Sequence, residues 1–298
     1  MNGDALRDRL EAGESVLMAG CFDALSARLA AAAGFETLFL SGYCTAATLL
    51  GLPDFGYLTQ TEIAEVARRV CTSVSEVSVV VDGDTGYGNP LNVIRTVELY
   101  EQAGAAGMFL EDQVWPKKCG HMAGKKVVPR EEWLAKLRAA LDHRRHLFVT
   151  ARTDARAAVG LGEACERARM AADLGVDAVF VEAPESVEEM EAIARATPGC
   201  VRVANMIEGG RTPLRTPKEL HELGFDLVVS PLTGLLAATR QMQLAYRLLH
   251  EEGTLRDHLD LVTSFDDFSP IVELDRHYAL EARYGERQGE RESQSEGR

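Results

Sequence analysis

The chain has 298 residues, is 46% hydrophobic and 26% charged, and carries a formal net charge of −14, which is typical of a globular protein with one large domain or two ordinary ones. An acidic chain does not attract polyanions, so we expect neither nucleic acid nor a membrane surface as a partner. Its apolar runs are strand-sized, far below the roughly 20 residues that span a bilayer. Six scattered cysteines without a CxxC pair predict free thiols and a cytoplasmic location.

Eight short apolar runs alternate with helix-like stretches along the chain. The runs are rich in β-branched residues and apolar on both faces, which is typical of parallel strands buried on both sides. In chain order they are Val16–Ala19, Thr37–Leu40, Val77–Val81, Met108–Leu110, Leu147–Ala151, Ala178–Val181, Val201–Ala204 and Leu227–Val229. Acidic first turns and terminal glycines predict helices over residues 24–33, 60–74, 92–103, 129–141, 162–174, 187–196 and 216–223. The alternation favours an α/β fold of the (β/α)8 barrel type over an open doubly wound sheet.

The C-terminal part of the chain continues as helix and then loses its apolar residues. Residues 233–252 are predicted to form the last barrel helix, and residues 264–284 a further helical region. Residues 286–298 contain no apolar side chain, so we expect them to be disordered. The predicted organisation is a single domain over residues 1–285 followed by a polar tail over 286–298.

Chemistry-bearing residues follow every predicted strand. In a (β/α)8 barrel the active site lies at the C-terminal ends of the strands. The residues at these positions are Cys21, Asp23, Ser41, Gly42, Tyr43, Asp82, Asp84, Thr85, Glu111, Asp112, Arg152, Thr153, Asp154, Glu182, Asn205, Glu208, Ser230 and Thr233. This end of the barrel is therefore the predicted active site.

Asp82 and Asp84 form a carboxylate pair at a strand end, with glycines beyond them. Hard oxygen ligands of this kind suit Mg²⁺, which keeps several waters and takes few protein carboxylates. The alternative is an Asp-Gly turn that caps a helix. The other acidic residues at the same rim, among them Glu111, favour the metal because they need a cation to offset mutual repulsion. Asp54 is as consistent with a turn as with a metal contact.

Cys119 lies in a polar, glycine-containing loop between Lys118 and His121. A lone cysteine is usually a small buried hydrophobe, but the surrounding polar residues make burial unexpected here. Neighbouring cations favour the reactive thiolate. A nucleophile and a proton donor both fit this pattern, and the residues alone do not separate the two roles.

Arg152 follows a very apolar strand. One interpretation is a structural ion pair with Asp154 or Glu182. The other is a guanidinium fork for a substrate carboxylate or an enolate oxygen. The position at the predicted rim favours the second.

Five motifs together resemble the isocitrate lyase / phosphoenolpyruvate mutase superfamily. They are Ser41-Gly42-Tyr43, Asp82-Gly83-Asp84-Thr85-Gly86, Lys117-Lys118-Cys119-Gly120-His121, Ala151-Arg152-Thr153-Asp154-Ala155 and Asn205-Met206-Ile207-Glu208-Gly209-Gly210. The resemblance implies a Mg²⁺-dependent enzyme, with Mn²⁺ as an alternative ion, on an α/β barrel. It further implies a C-terminal helix swapped between subunits and a homotetramer that is a dimer of helix-swapped dimers.

The same resemblance implies roles for individual residues. Cys119 would be the general acid on a Lys-Cys-Gly-His loop that closes over the substrate, and Arg152 would stabilise the enolate or carboxylate. The implied catalytic residues are Cys119, Arg152, Glu111, His121 and Lys118. The implied substrate-binding residues are Ser41, Gly42, Tyr43, Gly120, Glu182 and Asn205. The implied metal residues are Asp82 and Asp84, with Asp54 and Glu111 as outer contacts.

Departures from the family pattern narrow the expected substrate. In 2-methylisocitrate lyases an arginine after the last strand grips a third carboxylate, and Leu236 stands at that place here. A dicarboxylate with an apolar 2-substituent, such as a 2-alkylmalate, or oxaloacetate itself fits better. Phosphonopyruvate-forming mutases carry a Lys-Asn-Ser-type loop, so Cys119 argues against that branch.

The leading hypothesis is a carbon–carbon lyase that cleaves a 2-alkylmalate through an enolate and also hydrolyses oxaloacetate to oxalate and acetate. The first alternative is a carboxyphosphonoenolpyruvate-type phosphonomutase that forms a P–C bond, because that branch also has Cys-Gly-His. A 2-methylisocitrate lyase is a further alternative. A non-catalytic binding barrel is disfavoured by the intact set of Asp82, Asp84, Cys119 and Arg152.

Overall fold

Eight parallel strands close into a barrel in chain order in the computed structural model, which describes residues 3–119 and 124–295. The strands are β1 (Val16–Cys21), β2 (Thr37–Leu40), β3 (Ser78–Asp82), β4 (Gly107–Glu111), β5 (Phe148–Thr153), β6 (Ala178–Val181), β7 (Val201–Asn205) and β8 (Leu227–Ser230). Each strand pairs with the next, and β8 pairs with β1 to close the ring. The predicted barrel is confirmed, and strand ends differ from prediction by one or two residues.

Helices surround the barrel and connect its strands. They are α1 (Gly3–Glu11), α2 (Ala24–Ala32), α3 (Gly42–Thr45), which continues as a π-helix (Ala46–Leu50), α4 (Gln60–Ser73), α5 (Pro90–Ala103), α6 (Arg130–His143), α7 (Ala155–Ala158), α8 (Leu161–Leu174), α9 (Val187–Ala196) and α10 (Pro217–Glu222). Local signals place their ends: Asn89 caps α5 through the backbone N–H groups of Leu91 and Asn92, and Gly104 ends it with a φ of 88°. The sequence did not predict α1, α3 or α7.

Large apolar side chains fill the interior of the barrel. Phe109 stacks against Phe39 and Phe180, with ring centroids 4.7 and 5.5 Å apart. The unpredicted helix α1 adds Leu6 and Leu10 to the same cluster. The helix lies at the N-terminal ends of the strands, since a Cβ on Gly3 would approach the His146 carbonyl oxygen to 2.1 Å. One end of the barrel is thus closed by apolar packing, and the other is left for polar groups.

The chain divides into two compact units, Met1–Leu236 and Ala237–Arg298. The first contains the barrel. The second contains most of α11 (Thr233–Glu252), a 3₁₀ turn (Leu259–Leu261), α12 (Phe265–Phe268), a second 3₁₀ turn (Ser269–Val272) and α13 (Leu274–Ser295). The domain boundary at residue 285 and the disorder of residues 286–298 stay predictions: α13 runs on to Ser295, and the structure does not describe residues 296–298. No helix in the described part of the chain is long and apolar enough to cross a membrane.

Candidate active site

The predicted polar residues meet at the C-terminal rim of the barrel. Asp82 ends β3, Glu111 ends β4, Arg152 lies near the end of β5, Glu182 follows β6 and Asn205 ends β7. All five are buried. Glu111 stands directly opposite Arg152 in the register of β4 and β5, because parallel strands bring successive strand ends to one edge.

Asp82 and Asp84 face a common space beside Gly42. The Gly42 N–H donates to Asp82 Oδ2, and the Asp84 N–H donates to Asp82 Oδ1, both at 3.3 Å. A Cβ on Gly42 would lie 2.9 Å from Asp82 Oδ2 and 3.5 Å from Asp84 Oδ1. Asp84 has a φ of 45°, a backbone conformation that is uncommon outside glycine and that concentrates at functional sites. The local turn therefore directs two carboxylates toward the space that only a glycine leaves open.

Lys117 supplies an internal cation to this group. Its ammonium lies 2.7 Å from an oxygen of Asp54 and 2.7 Å from Asp84 Oδ1, the second contact without hydrogen-bond geometry. Burial by itself would lower the pKa of Lys117, but the carboxylates of Asp84 and Asp54 outweigh it and hold the pKa well above its ordinary value. Asp54 is therefore joined to the carboxylate pair through Lys117. The sequence predicted Lys117 only as part of the loop motif.

The rim nevertheless carries too little positive charge for its buried carboxylates. Burial, followed by the charges of Asp82 and Asp54, outweighs Lys117 and raises the pKa of Asp84 to about 7. Burial likewise raises the pKa of Glu111 well above its ordinary value, and neither of its carboxylate oxygens has a hydrogen-bond partner among the described residues. Burial of a carboxylate whose charge is only partly compensated is costly, so these groups suit an added cation.

The donor set fits Mg²⁺ better than a metal held only by protein. All the donors concerned are carboxylate oxygens, the ligand type that Mg²⁺ prefers. Across residues 3–119 and 124–295, no three His, Cys, Asp or Glu side chains are arranged to enclose one ion. Mg²⁺ tolerates this because it retains several of its waters. Asp82 and Asp84 would hold such an ion, with Asp54 and Glu111 in outer positions.

Arg152 lies at the centre of an acidic cluster. Its Nε and one terminal nitrogen donate to the two oxygens of Asp154 at 3.0 and 3.2 Å. The guanidinium also lies 3.2 Å from Glu182 Oε2 and 3.4 Å from Glu111 Oε2. Burial alone would lower the pKa of Arg152, but the surrounding carboxylates, Asp154 foremost, hold it well above its ordinary value. The ion pairs with Asp154 and Glu182 that the sequence offered as one interpretation are present, and they lie at the rim. The role of Arg152 as a fork for a substrate anion stays a prediction.

Glu182 and Asn205 form a polar pair next to Arg152. Asn205 Nδ2 donates to both carboxylate oxygens of Glu182 at 3.3 Å. The side-chain oxygen of Asn205 is buried, and no group in the described part of the chain forms a hydrogen bond with it. Ala183, directly after Glu182, has a φ of 56°, so this strand end is also strained. An unsatisfied acceptor and a strained turn are typical of a ligand-binding position.

Cys119 lies beside the carboxylate group rather than in the core. Its N–H donates to the Asp54 carbonyl at 3.2 Å. Gln113 clamps the preceding residue, since its side-chain oxygen accepts from the Lys118 N–H at 3.0 Å and its amide donates to the Lys118 carbonyl at 2.7 Å. Burial raises the pKa of Tyr43, and negative charge on Cys119 raises it further. Gly120 and His121 lie outside the described residues.

The predicted substrate segment Ser41–Tyr43 borders a small apolar cluster. The Ser41 hydroxyl accepts from the Cys44 N–H at 3.3 Å and so caps α3. Tyr43 packs with apolar residues that follow β1, β2, β7 and β8. The cluster consists of Cys44, Ile207 and Leu232, with Phe22, Tyr43 and Leu235 against them. One side of the rim is therefore apolar, and the side that holds Arg152 is charged.

A second buried network stands behind Arg152, and its partners could not be read from the sequence. Asp112 accepts from the Thr153 hydroxyl at 2.6 Å, from the Asp154 N–H at 2.8 Å and from Arg167 at 3.1 Å. Lys125 donates to Asp154 at 2.6 Å. The sequence placed Asp112, Thr153 and Asp154 after predicted strands, and the Lys125-Lys126 pair in an acidic chain was the only sign of Lys125.

Comparison with known proteins gives a consistent family. Residues 6–250 match the phosphoenolpyruvate phosphomutase family. A chloroplastic carboxyvinyl-carboxyphosphonate phosphorylmutase of Arabidopsis thaliana is 51% identical, over 90% of this chain and 80% of the relative. The petal death protein of Dianthus caryophyllus is 48% identical, over 92% of this chain and 87% of the relative.

Solved structures agree with this likeness. A 2,3-dimethylmalate lyase superposes with a TM-score of 0.90 at 33% identity, covering 95% of each chain. An oxaloacetate acetylhydrolase in complex with 3,3-difluorooxalacetate has a TM-score of 0.89 at 33% identity, covering 95% of this chain and 97% of that one. A phosphonopyruvate hydrolase in complex with oxalate and Mg²⁺ has a TM-score of 0.85 at 27% identity, covering 95% and 99%. Since these relatives are lyases, mutases and hydrolases, the prediction of an enzyme of the carbon–carbon lyase type is supported. The chain belongs to the PEP mutase/isocitrate lyase superfamily.

Proposed function

We propose that this chain is a Mg²⁺-dependent carbon–carbon lyase that cleaves a 2-alkylmalate and also hydrolyses oxaloacetate to oxalate and acetate. The observation that carries the proposal is that one rim holds both buried carboxylates, which favour a cation, and a buried guanidinium, which favours an anion. Among the described residues, Asp84 and Glu111 have buried carboxylate oxygens without hydrogen bonds. Lys117 and Arg152 lie nearby but offset only part of the negative charge of the rim, which favours an added cation. The buried guanidinium of Arg152 lies 3.4 Å from Glu111 Oε2, and its fork geometry suits an anionic group of the substrate. A small dicarboxylate bound through a metal meets both needs.

The two halves of the site would divide the substrate between them. Held by Asp82 and Asp84, Mg²⁺, or Mn²⁺ in its place, would stabilise negative charge that develops on the oxygens of the 2-oxo acid product. The N–H groups and hydroxyls of Ser41, Gly42 and Tyr43 would orient the carboxylate of that same half. Arg152, with Glu182 and Asn205 beside it, would stabilise the enolate or a carboxylate of the substrate. Its contact with Glu111 would bring its charge to the edge of the metal half, where oxalate, the product of that half, would bind.

The proposed reaction is a retro-aldol type of cleavage. A base takes the proton of the C2 hydroxyl, the C2–O bond becomes a carbonyl, and the electrons of the C2–C3 bond move to C3 as an enolate. Cys119 then gives its thiol proton to C3, which releases a carboxylic acid and a 2-oxo acid. For oxaloacetate, addition of water to the C2 carbonyl supplies the hydroxyl, and the products are oxalate and acetate. Lys118 and His121 are proposed to assist Cys119 from the same loop.

The apolar side of the rim supports a substituent without charge on the substrate. The cluster of Tyr43, Ile207 and Leu235 borders the segment proposed to bind the 2-oxo acid half. Leu236, where the 2-methylisocitrate lyases carry an arginine, is 41% exposed. An alkyl group on C2 would bury apolar surface against this cluster, whereas a third carboxylate would find leucine, not arginine, at position 236. A 2-methylisocitrate lyase is therefore the weaker alternative.

A phosphonomutase is the second candidate function. The relative that is 51% identical is named as a phosphorylmutase, and the metal half of the site would serve either chemistry. Formation of a P–C bond does not need an apolar pocket for a C2 substituent, which is why the lyase stands first. Release of phosphonate products from a carboxyphosphonate substrate, with no turnover of malates, would favour the mutase.

The test is a substrate panel with matched variants. Purified protein with Mg²⁺ is incubated with oxaloacetate and a series of 2-alkylmalates, and the 2-oxo acids and oxalate are measured. We expect turnover that EDTA abolishes and Mg²⁺ restores. Cys119→Ser should lose about 100-fold or more of the activity, as expected on removal of a positioned general acid, while Cys165→Ser, a cysteine on α8, should not. If neither oxaloacetate nor any of the malates is turned over, the lyase proposal is refuted.

Assembly and location belong to the same proposal. We propose a homotetramer of helix-swapped dimers, supported by α11, which has no buried residue and exposes Met242, Tyr246 and Leu249. Light scattering should give four times the chain mass, and Tyr246→Glu should reduce it. Cytoplasmic residence stays a prediction from the free cysteines, and fractionation of the source cells would test it against the chloroplast.

A further inference from the structure

We propose that Lys125 is a positioning residue of this site, which acts through Asp154 to fix Arg152 and to leave more of its positive potential available to an anionic ligand. The inference rests on the proposed function, because it concerns how the same site holds a dicarboxylate. Lys125 lies beyond the loop motif that carries Cys119, and no role follows for it from its place in the sequence.

Lys125 and Arg152 share one buried carboxylate. The side chain of Lys125 is 1% exposed and that of Asp154 is 0% exposed, with 2.6 Å between Nζ and Oδ1. The same Oδ1 accepts from Arg152 at 3.2 Å, and Oδ2 accepts from Arg152 Nε at 3.0 Å. Asp154 therefore bridges two cations, and each cation takes part of its charge.

The backbone of Asp154 is anchored to a second buried carboxylate, which limits how far Asp154 can shift when a partner is lost. Its N–H donates to Asp112 Oδ1 at 2.8 Å. Asp112 is itself fixed by the Thr153 hydroxyl at 2.6 Å and by Arg167 at 3.1 Å. Without the ammonium of Lys125, the Asp154 carboxylate would interact more strongly with Arg152 and offset more of its positive charge.

Other carboxylates already offset much of the positive charge of Arg152. It already faces Glu111 at 3.4 Å and Glu182 at 3.2 Å, and in a buried site these interactions are only weakly screened. With Lys125 present, part of the field of Asp154 is cancelled, and the guanidinium can attract a further carboxylate. With Lys125 absent, nothing from that residue would offset the field of Asp154, and the three carboxylates around Arg152 would repel an incoming anion more strongly.

A purely structural salt bridge is the competing explanation, and the experiment separates the two. Binding of oxalate to the Mg²⁺-loaded protein is measured by calorimetry for the wild type, Lys125→Met, Lys125→Arg and the exposed neighbour Lys126→Met. Thermal unfolding of each variant is measured alongside. Lys125→Met should weaken oxalate binding about 10- to 100-fold, which is typical of lost supporting contacts around a ligand site. Lys125→Arg should recover most of the affinity, and Lys126→Met should bind as the wild type does.

A double-mutant cycle tests whether the effect passes through Arg152. In an Arg152→Met background, Lys125→Met should cause less than about a threefold further loss of oxalate affinity, because the effects of coupled residues do not add. Full additivity, or a variant that melts earlier yet binds oxalate normally, would overturn the inference. Oxalate binding needs no turnover, so a protein that cleaves no malate but shows this coupling would refute the lyase and support the role of Lys125.

Discussion

Replacement of Lys117 by methionine removes the only cation that contacts both Asp54 and Asp84 in the described residues. Methionine keeps much of the length of the side chain and removes its charge. The ammonium lies 2.7 Å from an oxygen of each carboxylate, and its side chain is 3% exposed. The change therefore leaves two buried carboxylates without their counter-ion, while the packing of the loop is largely preserved.

The size of the effect follows from this burial. Removal of one partner from a buried ion pair costs roughly 3–5 kcal/mol, since the remaining charge stays uncompensated. For a compact unit of about 236 residues, which is the unit that contains the barrel, this corresponds to a fall in Tm of about 6–20 °C. Mg²⁺ at about 100 times its Kd should return roughly 2.7 kcal/mol to either protein by mass action. Mg²⁺ should stabilise the variant more than the wild type, because the Lys117 ammonium no longer competes with the ion for the carboxylates.

Thermal unfolding in EDTA and in excess Mg²⁺ measures both quantities. Lys126→Met, an exposed lysine in the same stretch of chain, is the matched control and should change Tm by no more than about 2 °C. A Lys117→Met protein that melts with the wild type in EDTA would refute the buried ion-pair argument. A variant that is destabilised but gains nothing from Mg²⁺ would refute the metal position beside Asp54 and Asp84.

Two further predictions concern the metal pair and the acid stability of the outer layer. Gly42→Ala places a Cβ 2.9 Å from Asp82 Oδ2 and should weaken Mg²⁺ binding by about tenfold or more in calorimetry, whereas Gly162→Ala, with open space around its Cβ, should leave it unchanged. Hydrogen bonds from Arg130 and Arg167 lower the pKa of Glu163 from 4.5 to about 2. Because the folded-state pKa is depressed, the stabilisation by Glu163 is complete above about pH 4.5 and is lost as the pH falls toward 2. Glu163→Gln should therefore lower the free energy of unfolding at pH 7 by at most about 3 kcal/mol. The variant should also lose less stability than the wild type on acidification, which urea midpoints at pH 7 and pH 3 would measure. An equal loss of stability in the two proteins would contradict this role of Glu163.

Much of the fold and part of the site follow from local patterns. Strands buried on both faces produce continuous apolar runs, and Gly104 and Gly175 end helices with the positive φ that glycine adopts readily. Helix α1 escaped prediction because its short amphipathic pattern precedes the first strand and acquires a function only when Leu6 and Leu10 fill the barrel end.

The sequence by itself determined which side chains share the rim. Asp82, Glu111, Arg152, Glu182 and Asn205 each follow or end an apolar run, and closure of a parallel barrel brings all such positions to one edge regardless of the loops.

Only the tertiary structure decided how the charges of this rim are paired. Lys117 reaches Asp54 across 63 positions of sequence, and Lys125 reaches Asp154 across 29. Such pairs depend on the path of loops through space and on which ammonium becomes buried beside which carboxylate. No periodicity or spacing records that information, because the cost of burying a charge is met by whatever group the completed fold places next to it.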